Sequence, residues 1–146
     1  MARLVYLLFF ISYLNGCTEN KTALEEWEHS FSGLYDAAIS QDGKYSIISS
    51  FNEGTSYWDL VNQERLYNWS HGDSATSAIA HVAFSPNGSH VITADLQAFV
   101  VWETSTGKSL GYWSVDADIM DVAISNDARL VLLGLKDGRA IHINQQ

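Results

Sequence analysis

One pattern occurs three times in the sequence and constrains the fold more than any other feature. The copies are DAAISQDGKYSIIS from Asp36, HVAFSPNGSHVITA from His81 and DVAISNDARLVLLG from Asp121, at offsets of 45 and 40 residues. Each has an apolar run that ends in Ser, a polar turn and a second apolar run, which is typical of a β-hairpin. The first two turns contain Asp-Gly or Asn-Gly, which form tight hairpin turns. The third has Ala128 in place of Gly, which predicts a turn of another type.

Each copy continues beyond its hairpin. A third strand is predicted in TSYWDL, AFVVWET and RAIHIN, where Trp58, Trp102 and Ile143 occupy equivalent places. A fourth strand is predicted in ERLYNWSH and KSLGYWSV, where Trp69 and Trp113 are equivalent. One unit is thus four short strands in about 40 to 45 residues, which is the period of a β-propeller blade. We therefore expect an all-β fold of about three four-stranded blades.

The strand count leaves the ring of blades incomplete. The segment ALEEWEHS, with Trp27, has the pattern of a fourth strand, but no unit stands in front of it, and the third unit stops before its own fourth strand. One, four, four and three strands make twelve, whereas a closed propeller needs at least about four blades. Two interpretations follow. The chain is a shortened piece of a longer propeller, or two copies form a homodimer of half-rings with six blades, in which each Trp27 strand completes the partner's third blade.

The segments VAFSPNGSHVITA and FVVWETSTGKSL resemble the repeat of WD40 proteins, and the resemblance extends over residues 23–146. It implies a WD40-like β-propeller whose partners dock on the loops at the rims. The Trp-Asp pair of the family is present only as Trp58-Asp59, because Glu103 follows the tryptophan of the second unit.

The resemblance also implies a buried hydrogen-bond network of His, Ser or Thr, Asp and Trp. The Gly-His pair that normally precedes the first strand is absent from this sequence. We therefore expect only part of the network, built from Ser49 or Thr93 with Trp58 or Trp102. The blades would then depend more on apolar packing.

The first seventeen residues, MARLVYLLFFISYLNGC, have one cation followed by a short apolar run. The run is shorter than the roughly 20 residues of a membrane span, and its flanks are typical of a secretory signal. LNGC resembles the lipobox of bacterial lipoproteins, in which the chain is cut before the cysteine and fatty acids such as palmitate are attached. The resemblance implies a signal peptide at 1–16, which would contain the only helix, and a tether at 17–22 lipidated on Cys17. Because Thr18 rather than Asp follows, it also implies the outer membrane.

Composition, charge and residue spacing argue against several classes of binding and catalytic site. The formal net charge is -9 with no basic stripe, so we expect no nucleic-acid partner. Cys17 is the only cysteine, which excludes a disulfide or a thiolate metal site within one chain. HGDS at 71–74 holds His, Asp and Ser, but adjacent loop residues seldom converge as a catalytic triad. No two of the histidines have the spacing of a metal-ligand pair, and His29 and His71 are predicted to mark strand ends. The five histidines are His29, His71, His81, His90 and His142.

We therefore predict a lipid-anchored, non-enzymatic interaction scaffold of the bacterial cell envelope, without catalytic, cofactor or metal site. Its protein partner is unidentified, and the predicted contact loops are SHGDSATSA at 70–78 and FNEGTS at 51–56. An enzyme alternative exists, because VVWETSTGKSLGYW also resembles the repeats of quinone-cofactor dehydrogenase propellers. In that class the tryptophan comes sooner after the turn than Trp113 comes after Gly107, and no acidic ligand cluster is visible here.

Overall fold

The computed structural model describes residues 33–72 and 78–144, and both ranges are all-β. They contain no helix, and hence none with the length and apolarity that a membrane crossing needs. The predictions for 1–16, Cys17 and Trp27 lie outside the described residues. The described strands are β1 (Leu34–Ile39), β2 (Tyr45–Ser50), β3 (Thr55–Asp59), β4 (Glu64–Trp69), β5 (His81–Phe84), β6 (His90–Ala94), β7 (Ala98–Glu103), β8 (Ser109–Ser114), β9 (Ile119–Ile124), β10 (Leu130–Leu135) and β11 (Ala140–Asn144).

The strands form three antiparallel sheets that follow one another along the chain. The first sheet has the order β1-β2-β3-β4, the second β5-β6-β7-β8 and the third β9-β10-β11. This confirms the predicted units of four, four and three strands. The pairing registers confirm the predicted equivalence of third-strand residues at the repeat offsets: Trp58 pairs with Ser46, Trp102 with Val91 and Ile143 with Val131. Fourth-strand residues are equivalent too, with Trp69 opposite Thr55 and Trp113 opposite Phe99.

Neighbouring sheets pack face to face through their first strands, with β1 beside β5 and β5 beside β9. We call the face of a sheet that points to the preceding sheet its leading face, and the opposite face its trailing face. Side chains alternate between these faces along each strand. In β6, Val91 lies on the leading face and Ile92 on the trailing face, and both are fully buried. The second sheet is therefore covered on both faces, and the arrangement is propeller-like, without a closed ring in the described residues.

The two cores differ in composition. Between the first and second sheets the core is aromatic: Trp69 stacks on Trp102 with ring centroids 5.1 Å apart and planes 10° apart. The Trp69 Nε1–H also donates to the Gly107 carbonyl at 3.0 Å. Such stacking contributes about 0.5–1.5 kcal/mol beyond area burial. Between the second and third sheets the core is mostly aliphatic, with Val131 and Leu133 fully buried.

The hairpin turns of the three sheets share one conformation. Ala128 has φ +57°, in the same left-handed region as Gly43 at +71° and Gly88 at +72°. The prediction of another turn type in the third copy is therefore wrong. The Ala128 methyl group is buried in the aliphatic core, which offsets the strain of that conformation. A hydroxyl-to-side-chain hydrogen bond of 2.7–2.8 Å orders all three turns: Ser40 to Asp42, Ser85 to Asn87 and Ser125 to Asp127.

Candidate functional site

Four side chains form a buried hydrogen-bonded chain where the first sheet leads into the second. His71 follows β4, Thr93 lies on β6, Asp95 follows β6 and Trp102 lies on β7. The Trp102 Nε1–H donates to Thr93 Oγ1 at 2.8 Å, and Thr93 Oγ1 lies 2.8 Å from His71 Nε2. His71 Nδ1 lies 3.0 Å from an Asp95 carboxylate oxygen. A neutral imidazole with its proton on Nδ1 satisfies every group, because it donates to Asp95 and accepts from the Thr93 hydroxyl.

Of these four side chains, Asp95 reaches solvent most. Its side chain is 29% exposed, against 1% for that of His71. Burial raises the pKa of Asp95, but hydrogen bonds from His71 and from the backbone N–H groups of Gln97 and Ala98 outweigh burial and leave the pKa below its ordinary value. The two backbone donors lie 2.9 and 2.7 Å from Asp95 Oδ1. The carboxylate therefore stays ionised at neutral pH and orients the imidazole.

This complete chain corrects the expectation that only part of the network would form. Thr93 and Trp102 were predicted members, whereas sequence reasoning missed His71 and Asp95. Their spacing was the available signal: His71 stands two residues after Trp69, and Asp95 stands two after Thr93. A histidine in the connection between β4 and β5 can therefore join the network, although the Gly-His pair that WD40 proteins have before the first strand is absent.

The first sheet does not build the network from its predicted members. The register places Ile48, rather than Ser49, at the position of Thr93, because the first two copies are offset by 45 residues. The Ser49 hydroxyl instead bonds with the backbone N–H and carbonyl of Asp36 at 3.1 and 3.2 Å. The Trp58 Nε1–H donates to Ser56 at 2.6 Å. Ser49 and Trp58 therefore do not meet, and that half of the prediction is wrong.

The His71 network is suited to structure rather than catalysis. Both ring nitrogens of His71 are engaged and the ring is buried, so a substrate has no approach to a free lone pair. Asp73 and Ser74 of the HGDS segment lie outside the described residues. His81 bonds to a backbone carbonyl and His90 to a Ser hydroxyl. Within residues 33–72 and 78–144, no three His, Cys, Asp or Glu side chains are grouped to hold a metal ion.

An exposed apolar patch lies at the edge of the first sheet where residues 70–72 leave β4. Leu34, Tyr35 and Phe51 form this rim patch. The rings of Tyr35 and Phe51 stack with centroids 5.0 Å apart, although these residues are 46% and 49% exposed. The Phe51 N–H donates to the Gly33 carbonyl at 3.3 Å, which ties the loop to the start of β1. Aromatic side chains are enriched at protein interfaces, so the rim patch is a candidate docking surface.

The rim patch includes the first residue of the contact loop predicted at 51–56. Only 51–54 is loop, since Thr55 and Ser56 belong to β3 and are buried. Gly54 has φ +72°, and a Cβ at this position would overlap the Trp69 carbonyl oxygen. Glycine therefore lets the loop turn tightly and display Phe51. Of the other predicted loop, at 70–78, residues 73–77 lie outside the described residues.

A cleft of about 370 Å³ lies at the opposite edge, between the hairpin turns of the first and second sheets. The turns of the second and third sheets instead bond directly, because the Asn87 N–H donates to the Asn126 side chain at 2.8 Å. Hydrogen bonds from the Ser40 hydroxyl and the Lys44 backbone N–H hold the pKa of Asp42 below its ordinary value. The Ser40 and Asp42 side chains already bond within their own turn, so the cleft is a weaker candidate docking surface than the rim patch. The cleft is lined by Ser40, Gln41, Asp42, Tyr45, Pro86, Asn87 and Gly88.

Comparisons with protein families and with curated proteins found no relative. The candidate surfaces therefore rest on their own contacts and exposure.

Proposed function

We propose that the chain is a bacterial lipoprotein whose partial WD40-like β-propeller serves as a non-enzymatic scaffold for protein interactions. The three-fold repeat of antiparallel sheets and the buried His71 network support the WD40-like fold. The LNGC motif supports a lipid anchor on Cys17, and Thr18 directly after it favours the outer membrane, with the chain facing the periplasm. A rigid set of sheets that displays loops is an ordinary basis for binding partners.

The rim patch is the observation that carries the scaffold proposal. Tyr35 and Phe51 keep their rings stacked while nearly half of each residue is open to solvent. Because the loop is tied to the Gly33 carbonyl, the rings are largely ordered before a partner arrives, which lowers the entropic cost of docking. Aromatic anchors that fill a pocket on the partner contribute most of the affinity in many interfaces. A partner protein with an apolar pocket fits this surface.

A Phe51→Ala substitution tests the rim patch. The tagged full-length chain is captured from detergent-solubilised bacterial envelope, and co-purifying proteins are quantified by mass spectrometry. We expect the retained partner to fall by about tenfold or more, since truncating a central aromatic anchor costs about 2 kcal/mol or more. Leu110→Ala is the matched control, because Leu110 is 52% exposed on β8, outside the patch. Equal retention by Phe51→Ala and the wild type would remove the rim patch as the docking site.

Labelled fatty acid tests the anchor separately. The wild type should take up label and remain in the membrane fraction, because attached acyl chains contribute about 0.8 kcal/mol per buried methylene. Cys17→Ser should lose both properties. Label on Cys17→Ser would show that the lipoprotein proposal is wrong. A coloured preparation, or a metal that co-purifies at one per chain, would instead favour the quinone-dependent dehydrogenase class.

A further inference from the structure

The trailing face of the third sheet is uncovered, although the repeat makes it a packing surface. Leu132 on β10 is 50% exposed, whereas Ile47 and Ile92 at the equivalent positions are fully buried by the next sheet. His142 on β11 pairs with Leu132 and is exposed, at the place of the fully buried Val101. In both preceding units this face forms half of a core.

A shallow depression of about 160 Å³ lies beside Leu132 on this face. Small residues shape it, namely Ala123, Gly134 and Ala140, with Asp121 at its edge. Ala140 stands where the second sheet has Phe99, a fully buried ring that contacts the third sheet's core. The third sheet therefore leaves room for apolar side chains of an incoming strand.

Asp121 offers a specific contact at the edge of this face. In the first sheet, one Asp36 oxygen accepts the Ala37 N–H at 2.8 Å, and the other accepts the Val82 N–H of the second sheet at 3.0 Å. Asp121 occupies the same place, and one of its oxygens accepts the Val122 N–H at 2.8 Å. Among the described residues no donor bonds its other oxygen. The acceptor for a following strand is thus present without the strand.

The leading face of the first sheet, at the other end of the series of sheets, is also uncovered by the described residues. Ile39 on β1 is 62% exposed, whereas Ile124 at the equivalent place on β9 is buried against the second sheet. Ala37 is exposed as well, although Val82 and Val122 at its position are buried. β1 therefore has the position of a first strand that packs on a preceding sheet, and it lacks that sheet in the described part of the chain.

We propose that these two ends bind each other between two copies of the chain. β1 of one copy packs on the trailing face of the third sheet of the other, with Ile39 against Leu132. The Ala37 N–H exchanges its bond to Asp36 for one to the second Asp121 oxygen. The contact repeats the one that β5 makes on the first sheet and β9 on the second. Two such contacts close a symmetric pair with six sheets, and a continuing series gives a longer assembly. Leu34 and Tyr35 of the rim patch also lie on β1, so the two proposals are tested by variants that each touch only one surface, Phe51→Ala for the rim patch and Leu132→Asp for this contact.

Light scattering after size exclusion tests the assembly on the full-length chain in detergent, with the protein mass separated from that of the detergent. The wild type should have at least twice the mass of one chain, and Leu132→Asp should have the mass of one chain. Leu110→Asp is the matched control, because Leu110 is similarly exposed on β8 but lies outside the proposed contact; it should keep the wild-type mass. Circular dichroism checks that the variants are folded. A single-chain mass for the wild type, or an unchanged mass for Leu132→Asp, would overturn the proposal.

Cross-linking tests the head-to-tail geometry directly. Ala37→Cys and Asp121→Cys are made in separate chains in the Cys17→Ser background, so that the introduced thiols are the only ones. A short bis-maleimide should join two chains at least tenfold more in the mixture than in either variant alone, because the proposed contact brings position 37 to position 121. A mixture of Leu110→Cys with Asp121→Cys is the control and should give no product. Equal products from the single variants would show a different, symmetric contact.

Discussion

The second and third sheets share one sequence repeat, but equivalent positions at their junctions with the preceding sheet, buried or partly buried, hold side chains of different chemistry. The junction before the second sheet has hydrogen-bonded polar or aromatic side chains where the junction before the third has aliphatic ones: His71 and Val115, Thr93 and Leu133, Asp95 and Leu135, Trp102 and Ile143. Thr93 and Leu133, at the centre of each set, are both fully buried. Two different solutions therefore support one sheet geometry.

A core of fully paired polar groups gains directional bonds, but it loses stability when one partner is missing. A buried polar group costs about 1–3 kcal/mol when its partner is missing, whereas a fully paired network is nearly neutral against apolar residues of the same shape. The directional bonds hold the Trp102 indole in one orientation, in which it stacks on Trp69. The aliphatic set needs no partners and relies on close packing. We expect the junction before the second sheet to depend on complete pairing, and the junction before the third to depend on volume and apolarity.

Placing a hydroxyl in the aliphatic set should have the largest effect. Leu133→Thr shortens a buried aliphatic side chain and introduces a hydroxyl among aliphatic side chains that cannot bond to it. We expect a loss of about 4 kcal/mol in the free energy of unfolding, from lost burial together with the unpaired hydroxyl. Urea denaturation followed by tryptophan fluorescence measures it. Leu110→Thr, at an exposed site, should change stability by less than about 0.5 kcal/mol. A loss below about 1 kcal/mol for Leu133→Thr would mean that the third sheet tolerates polar groups as the second does.

Removing the hydroxyl from the polar set should cost somewhat less. Thr93→Val keeps the shape but leaves the Trp102 Nε1–H and His71 Nε2 without their partner. We expect a loss of about 3 kcal/mol, since each unpaired buried group costs about 1–3 kcal/mol. The same urea denaturation checks this value.

A double-mutant cycle with His71→Val sharpens this second prediction. The double variant copies the aliphatic character of the third sheet, so its loss should be smaller than the sum of the two single losses by about 1 kcal/mol or more. Strictly additive losses would contradict the view that His71 and Thr93 act as one network.

Local patterns in the sequence predicted the strands well. Alternating apolar residues and turn dipeptides act over a few residues, and they located Trp58, Trp69, Trp102 and Trp113 correctly. Network membership was harder, because His71 and Thr93 are 22 residues apart and meet only when two sheets pack. The predictions for Cys17 and Trp27 stay predictions.

Errors of one residue and of one turn had physical causes. Ser49 was predicted as a network member in the first sheet, but Ile48 holds the position of Thr93, and in a strand a shift of one residue moves a side chain to the other face. Ala128 adopts the conformation predicted for Gly alone because its methyl group is buried by the neighbouring sheet. The rim patch was predicted only in part. Phe51 lay in a predicted contact loop, whereas its stacking on Tyr35 depends on the pairing of β1 with β2.

Acid should weaken the polar set and leave the aliphatic set unchanged. The pKa of Asp95 lies below its ordinary value in the folded protein, so its contribution to stability is present above about pH 4, the unfolded pKa, and is lost as the pH falls through the folded pKa. Asp95→Asn keeps the shape but cannot ionise. The stability advantage of the wild type over Asp95→Asn should therefore shrink below about pH 4, as measured by urea denaturation at a series of pH values. An advantage that is constant down to pH 2 would show that folding does not lower the pKa of this carboxylate.

The smallest expected effect comes from substitutions in the hairpin turns of the second and third sheets. Gly88 and Ala128 share the left-handed conformation, but a Cβ on Gly88 would have no neighbour within 4 Å, whereas the Ala128 methyl is buried. Gly88→Ala should therefore cost about 1 kcal/mol, because the strain of the conformation has no compensating contact. Ala128→Gly should change stability by less than about 0.5 kcal/mol, since relief of about 1 kcal/mol of strain is offset by about 0.8 kcal/mol of lost methyl burial. Thermal denaturation of the two variants beside the wild type measures both. A gain of 1 kcal/mol or more for Ala128→Gly would mean that the buried methyl contributes nothing, and that the third turn is merely strained.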